Sequence, residues 1–203
     1  MHPKYNENRK GGKSDSLLRE TRKRSSHVFD GELLQVYKDE VELPDKRTSV
    51  REWIKHPGAS AVVPVFRDGT VMLLQQFRYP PNRTFIEVPA GKIDEGETPE
   101  STARRELFEE SGIKCEKLEK AGSFFPAIGY ADEIIHVYVG WDLNEDTQSE
   151  DDDEFLLKYR IPFAKAMDMI KTGEIADGKT VCSLLHASLW WKENKPFEID
   201  LGI

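Results

Sequence analysis

The segment that most constrains this 203-residue chain is GKIDEGETPESTARRELFEESGI, which runs from Gly91 to Ile113. Its second half predicts a helix, because Thr98 suits an N-cap and Pro99 suits the first helical position. Gly112 is placed to end that helix. These signals set the helix bounds, and the bounds in turn determine which side chains share a face.

Three glutamates share one face of this helix. Glu106, Glu109 and Glu110 stand at positions i, i+3 and i+4, which at the helical period spans an arc of about 100°. Ala103 and Leu107 border the same arc, so the acids should lie beside the buried edge of the helix rather than on its solvated back. Like charges at i and i+4 repel by roughly 0.2–0.5 kcal/mol.

A divalent cation would balance this charge. Arg105 can offset Glu109, but nothing nearby on the helix offsets Glu106 and Glu110 together. Magnesium takes hard oxygen ligands and leaves its remaining positions to water and to substrate phosphates. The alternative is an ordinary charged helix face, which is the usual explanation for a helix rich in glutamate and arginine.

The full spacing resembles the Nudix box. Five residues separate Gly91 from Glu97, and seven more precede the run Arg105-Glu106-Leu107-x-Glu109-Glu110-x-Gly112-Ile113. The resemblance implies a loop–helix–loop that holds Mg²⁺, with Mn²⁺ as the alternative ion, and hydrolyses a nucleoside diphosphate linked to another group. It implies that Glu106 and Glu110 are metal ligands and that Glu109 is a further ligand or a base. Arg105 would orient Glu109, and Glu97 would support the site from the loop.

Residues outside the box resemble ADP-ribose pyrophosphatases and related nucleotide-sugar hydrolases. The similar stretches are SVREWIKHPGASAVVPV, QQFRYPPNRTFIEVPAG at residues 75–91, and the loop FFPAIGYADE. The resemblance implies that Arg78 binds the diphosphate and that the Ala90 carbonyl reaches magnesium. Arg51 or Trp53 would contact the nucleotide across a dimer interface, and Glu133 would contact the terminal sugar. The alternatives are a surface salt bridge for Arg78 and a core position for Trp53.

An acidic loop follows the predicted strand 134–141. The resemblance places a glutamate there that acts as general base or late metal ligand. The run from Glu150 to Glu154 reads Glu-Asp-Asp-Asp-Glu, so Asp153, Glu154 and Glu150 are all candidates. A solvated acidic loop is the alternative.

Net charge and composition limit the partners and the compartment. The formal charge is −8, which disfavours general nucleic-acid binding, although residues 1–26 carry eight Lys/Arg and only three Asp/Glu. No run approaches the roughly 20 apolar residues of a membrane span, and no secretory signal is recognisable at the N-terminus. We therefore expect a cytoplasmic protein in which Cys115 and Cys182 stay reduced.

Three segments are predicted. Residues 1–26 form a flexible basic extension, with a short helix between Ser14 and Arg24; an arm for a polyanion is the alternative. Residues 27–57 form a β element that dimerises in related enzymes, and residues 58–203 form the Nudix hydrolase domain. Strands are predicted at 27–29, 33–37, 41–43, 48–55, 59–66, 70–77, 83–88, 114–122, 134–141 and 155–161, and further helices at 163–171 and 180–193.

This order of elements predicts an α/β protein. The resemblance implies the same class, a Nudix-type α/β/α sandwich with a mixed sheet and a small N-terminal β accessory unit. The expected function is Mg²⁺-dependent hydrolysis of a nucleoside diphosphate sugar by a homodimer, with ADP-ribose giving AMP and ribose 5-phosphate. The alternatives are GDP-mannose or another nucleotide sugar as substrate, and a Nudix-fold sensor that binds without cleaving. The intact set of three helix glutamates argues against a sensor.

Overall fold

The computed structural model describes residues 13–145 and 155–202. In chain order the elements are α1 (Lys13–Leu18), β1 (Thr21–Asp30), β2 (Gln35–Glu42), β3 (Thr48–Lys55), β4 (Ala59–Pro64), β5 (Thr70–Arg78), β6 (Arg83–Glu87), β7 (Ala90–Lys92), α2 (Pro99–Ser111), β8 (Ile113–Phe124), β9 (Ile135–Glu145), β10 (Leu157–Pro162), α3 (Phe163–Thr172) and α4 (Gly178–Asn194). Among the described residues, no helix is long and apolar enough to cross a membrane. Both cysteines are free thiols.

The chain divides into two compact units. The first contains the residues up to Pro57 together with Ala127–Glu133, and the second contains Gly58–Pro126 and the chain from Ile134 onward. Residues 127–133 were predicted to belong to the hydrolase domain. The role of residues 27–57 in dimerisation stays a prediction.

The first unit is built on an antiparallel sheet of order β1-β2-β3. Strand β1 begins at Thr21, inside the segment predicted to be a flexible extension, and α1 ends earlier than the helix predicted there. The reason is charge complementarity between strands rather than apolar alternation. Lys23 on β1 lies 2.8 Å from a carboxylate oxygen of Glu42 on β2, and Ser25 donates to Asp39 of β2.

The second unit contains the predicted mixed sheet. Its strand order is β7-β4-β9-β8, with β4 and β9 parallel and the other neighbours antiparallel. Strands β10, β5 and β6 form a separate antiparallel sheet. Strand β7 is not among the predicted strands, because three residues that include a glycine give no alternating pattern.

Helices cover both faces of the four-stranded sheet. Side chains alternate along β4, so that Ala61 and Val63 join a buried cluster with Leu184 of α4. Val62 joins a second buried cluster with Leu107 of α2. The predicted α/β/α arrangement is therefore confirmed, and α2 is held to the sheet by the apolar edge that borders its acids.

The buried side chain of His136 on β9 yields a prediction about pH. It is 7% exposed, and neither ring nitrogen has a hydrogen-bond partner among the described residues. Burial lowers the pKa of His136, and the charge of Lys120 lowers this pKa further. Because the pKa in the folded state is below that in the unfolded state, protonation of His136 favours unfolding. The resulting loss of stability begins as pH falls through the ordinary pKa value of 6.5.

We expect the free energy of unfolding to fall more steeply in the wild type than in His136→Leu between about pH 7.5 and about pH 5. Denaturant unfolding at a series of pH values measures this difference. Lys120→Met serves as the matched variant. Its free energy of unfolding should depend on pH less steeply than that of the wild type but more steeply than that of His136→Leu. Parallel pH curves for the wild type and His136→Leu would contradict the assignment.

Candidate functional site on helix α2 and strand β7

Helix α2 has the caps that its sequence predicts. Thr98 Oγ1 accepts from the Ser101 N–H at 3.1 Å, and Ser101 Oγ accepts from the Thr98 N–H at 2.9 Å. Pro99 is the first helical residue, and Gly112 ends the helix with φ 73°, a conformation that favours glycine. These contacts fix the two ends of the helix where the sequence predicts them.

Arg105 is the centre of the site. Its Nε and Nη2 donate to the two carboxylate oxygens of Glu97 at 2.8 and 2.9 Å. Its Nη1 donates to Glu109 Oε2 and to Glu106 Oε1, both at 2.8 Å. The predicted Arg105–Glu109 contact is present. Arg105 was predicted to offset Glu109, and the structure adds that the same guanidinium nitrogen also contacts Glu106.

The same contacts control the ionisation of Glu97. Hydrogen bonds from Arg105, and then from Thr102 Oγ1 at 2.7 Å, lower the pKa of Glu97 to about 2. Its carboxylate in turn raises the pKa of Arg105. Glu97 therefore remains charged at mildly acidic pH and anchors Arg105 from the loop, as the resemblance implies.

Glu110 and Glu106 of α2 lie close to the backbone of strand β7. Glu110 is buried, and its Oε2 accepts from the Ala90 N–H at 2.9 Å. A Cβ added to Gly91 would stand 1.9 Å from Glu106 Oε1, so the Glu106 carboxylate occupies the space that any larger residue would fill. Glycine at this position is therefore required by the close approach of helix and strand.

The hydrogen bond of the Ala90 N–H indicates the direction in which the Ala90 carbonyl points. In an antiparallel strand the N–H and C=O of one residue point to the same side. Ala90 lies on an edge strand and donates its N–H to Glu110 rather than to β4. We therefore expect its carbonyl on the same side as Glu110, and its role as a metal ligand stays a prediction.

The donor set fits a hard divalent cation. Carboxylates of Glu106, Glu109 and Glu110 and the Ala90 carbonyl are oxygen donors of the kind that such ions prefer. Within residues 13–145 and 155–202, no three carboxylate, imidazole or thiol groups stand close enough together to bind one ion as they are. Since Arg105 holds Glu106 and Glu109, and the Ala90 N–H holds Glu110, binding an ion requires carboxylates to exchange these hydrogen bonds for metal contacts.

Arg78 lies in a second cluster of charges. Its Nε and Nη2 donate to the two oxygens of Glu87, both at 2.8 Å, and Glu87 is only 4% exposed. Lys179 Nζ lies 3.1 Å from Glu87 Oε2 and 3.4 Å from Asp177 Oδ2. The partner of Arg78 is thus a buried carboxylate and not the acidic surface considered as the alternative.

The pKa values of this cluster follow from its burial and pairing. Burial raises the pKa of Glu87, but hydrogen bonds from Arg78 and the charge of Lys179 outweigh it, so the pKa is lowered overall. Hydrogen bonding to Glu87 raises the pKa of Arg78, and attraction to Glu110 also contributes. Arg78 therefore interacts electrostatically with the acidic face of α2.

These charges line a cavity of about 360 Å³. Its lining residues are Arg78, Pro80, Pro81, Phe85, Glu87, Asp177 and Lys179. Glu87, Asp177 and Lys179 are not among the predicted site residues. Asp177 had a local signal, since it is the N-cap of α4 and accepts from the Thr180 N–H at 2.9 Å, but nothing local connects residue 87 with residue 179.

The remaining predicted site residues lie elsewhere. Arg51 Nε donates to Glu20 at 2.9 Å, Trp53 stacks on Tyr37, and Glu133 lies 3.8 Å from His56 Nδ1. All belong to the first unit, and their contacts with a nucleotide stay predictions. The candidate bases Asp153 and Glu154, together with Glu150, lie outside the described residues.

Comparisons with known proteins agree on one family. A family model described as NUDIX domain matches residues 55–184. An ADP-ribose pyrophosphatase from Bacillus subtilis (strain 168) is 40% identical over 164 residues, which is 80% of this chain and 89% of that relative. A methanol dehydrogenase activator from Bacillus methanolicus is 38% identical over 175 residues, covering 85% of this chain and 95% of the relative.

A solved structure described as the crystal structure of an ADP compounds hydrolase has the same fold. Its TM-score is 0.78 with 24% sequence identity, and the match covers 89% of this chain and 98% of that chain. At this identity the similarity supports the fold and leaves the substrate open.

The contacts of Glu97 predict its titration. Because its pKa is lower in the folded protein than in the unfolded one, Glu97 stabilises the fold above the ordinary value of 4.5 and loses that effect as pH falls toward about 2. Carboxyl-carbon NMR should place the midpoint near 2 in the wild type and closer to 4.5 in Arg105→Met. Thr102→Val removes the weaker donor and should shift the midpoint less. An unchanged midpoint in Arg105→Met would rule out this pairing.

Proposed function

Because the chain belongs to the Nudix family and is a hydrolase of that family, we propose that it cleaves the pyrophosphate bond of a nucleoside diphosphate sugar with Mg²⁺. ADP-ribose is the first substrate to test and would yield AMP and ribose 5-phosphate. The observation that carries this proposal is the convergence of the α2 glutamates on strand β7 around Arg105. The similarity to the Bacillus subtilis ADP-ribose pyrophosphatase supports the choice of substrate.

Members of this family generally use divalent metal ions. Glu106, Glu109, Glu110 and the Ala90 carbonyl would hold the ion, which when bound neutralises phosphate charge and lowers the pKa of a coordinated water. Mg²⁺ suits this set because all the donors are hard oxygens, and Mn²⁺ is the alternative ion for the same reason.

The residues of the chain itself prepare the site. Arg105, anchored by Glu97, holds Glu106 and Glu109 side by side before an ion arrives, and ion binding would exchange these hydrogen bonds for metal contacts. Arg78 offers a cation to the diphosphate from the neighbouring cavity. Asp153, Glu154 or Glu150 would supply the general base, and Arg51, Trp53 and Glu133 would contact nucleotide and sugar.

The experiment that tests this function is a substrate panel in water labelled with heavy oxygen. ADP-ribose, GDP-mannose and a UDP-sugar are incubated with the protein and Mg²⁺, and mass analysis identifies the products and the phosphorus that received the label. We expect ADP-ribose to be cleaved fastest, to AMP and ribose 5-phosphate. Faster cleavage of GDP-mannose would establish the alternative substrate, and binding without cleavage would establish a sensor.

Glu110→Gln is the control for this panel, because it keeps the side-chain shape and removes a ligand charge. We expect turnover to fall by at least ~10², which corresponds to roughly 2.7 kcal/mol, with the fold intact by circular dichroism. Near-normal turnover at saturating Mg²⁺ would show that Glu110 is not a metal ligand.

We also propose that the protein acts as a homodimer through residues 27–57. Among the described residues of the first unit, Val41, at 6% exposed, is the only buried hydrophobic residue. Val28 and Phe29 on β1 and Val50 on β3 remain 55%, 56% and 49% exposed. A sheet with so little core of its own is stabilised when a second copy covers its apolar side chains.

Light scattering should report twice the chain mass of 23.3 kDa at protein concentrations of tens of micromolar. Phe29→Glu should shift the protein toward monomer, because a charge in an apolar interface is costly. Leu189→Glu, which alters an exposed apolar residue of α4, is the matched control and should leave the mass unchanged. A fully active monomeric wild type would exclude the dimer.

A further inference from the structure

Glu87 is a buried carboxylate beside the cavity that Arg78 lines. It is 4% exposed, and it ends strand β6 three residues before Ala90. Three hydrogen-bond or ion-pair contacts reach it, two from the Arg78 guanidinium and one from the Lys179 ammonium. A carboxylate removed from water in this way needs such partners to remain charged.

We propose that Glu87 is a positioning residue, which orients Arg78 toward the diphosphate, and that Lys179 holds Glu87 in place. The inference rests on the proposed function, since it concerns how the substrate of that reaction is bound. It assigns roles to two residues for which the resemblance implies none.

The geometry of the guanidinium carries the first step. Arg78 uses its Nε–Nη2 edge for Glu87, so both oxygens of the carboxylate are engaged side by side. A guanidinium has a second edge, formed by Nη1 and Nη2, which offers the same paired donors to a phosphate. Among the described residues no acceptor contacts Nη1. Glu87 therefore occupies one edge and leaves the other for an anion in the cavity.

Strand pairing explains why Arg78 needs this contact. In the register of β5 with β6, Glu87 stands opposite Leu74, whereas Arg78 stands opposite Arg83 at the far end of the pair. The Arg78 side chain must therefore run back along the sheet to reach Glu87. Without the carboxylate, the like charge of Arg83 and the solvent at the strand end would favour other rotamers.

The contacts of Lys179 separate its role from that of Arg78. Its three ammonium donors have three protein acceptors nearby, which are Glu87 Oε2 at 3.1 Å, Asp177 Oδ2 at 3.4 Å and the Val88 carbonyl at 3.4 Å. Its side chain is 16% exposed, compared with 43% for Arg78. Lys179 thus compensates the buried carboxylate, and Arg78 is the cation that remains accessible to a ligand.

A purely structural role of the Glu87–Arg78 pair and a positioning role lead to different expected results. A structural pair would change stability and leave substrate affinity alone. A positioning pair couples the two residues in binding, so that removing Glu87 matters only while Arg78 is present. The test is therefore a double-mutant cycle read out by affinity and by KM.

The cycle comprises the wild type, Glu87→Gln, Arg78→Ala and the double variant. For each, KM and kcat are measured with ADP-ribose and Mg²⁺, and the Kd of ADP is measured by calorimetry. We expect Glu87→Gln to raise KM and the Kd of ADP by about tenfold, which is within the range of coupling for residues in one hydrogen-bonded network. The double variant should bind no more weakly than Arg78→Ala alone.

Two further variants distinguish a loss of positioning from a general loss of stability. Glu87→Asp keeps the charge but withdraws it by one methylene, so it should preserve the melting temperature better than Glu87→Gln while still raising KM. Asp142→Asn breaks the ion pair with Arg67 in the same unit and should leave KM and the Kd of ADP unchanged. If Glu87→Gln does not fold, Glu87→Asp decides the question.

Wild-type KM and ADP affinity in Glu87→Gln, or in Glu87→Asp if only that variant folds, would overturn the inference. Additive effects of Glu87→Gln and Arg78→Ala would overturn it as well. If the wild type cleaves no nucleotide sugar, the proposed function fails, but the cycle of ADP affinities still decides the role of Glu87. A wild type that does not bind ADP at all would overturn both.

Discussion

The ion-pair network of Arg105 is the interaction on which the candidate site depends. One guanidinium contacts Glu97, Glu106 and Glu109, and all the bonds to these carboxylates are between 2.8 and 2.9 Å. Without this cation, neighbouring carboxylates on one turn of a helix would repel and turn outward to water. With it, Glu106 and Glu109 are held side by side, and a divalent ion that bound there would take over part of the charge compensation.

The glutamates that Arg105 contacts form a site together with strand β7, a strand of three residues against which helix α2 lies. Ala90 of β7 donates its backbone N–H to Glu110, and the Glu106 carboxylate occupies the space where a side chain on Gly91 would stand. Leu107 on the buried edge of α2 maintains this approach by packing in a cluster with residues of the four-stranded sheet. The same helix therefore supplies both the apolar contact that positions the site and the charges that form it.

A second cluster of charges surrounds Arg78, for which we propose a role in binding the diphosphate. The resemblance pointed to Arg78, but its partner Glu87 and the compensating Lys179 come from different elements, and they meet only once β5, β6 and α4 are packed. A buried carboxylate between two cations is costly to form. It serves a purpose when it directs one of those cations toward a ligand, as we infer for the accessible edge of Arg78.

The sequence alone determined helix α2, its caps and the face that carries Glu106, Glu109 and Glu110, because caps and helical period are local properties of consecutive residues. It also determined most strands of the second unit, where apolar patterns are strong. It missed the start of β1, the strand β7 and the Arg78–Glu87 pair. Those features were decided only by the tertiary structure, since cross-strand charge pairing, edge pairing of a glycine-containing segment and burial of a carboxylate depend on partners distant in the chain.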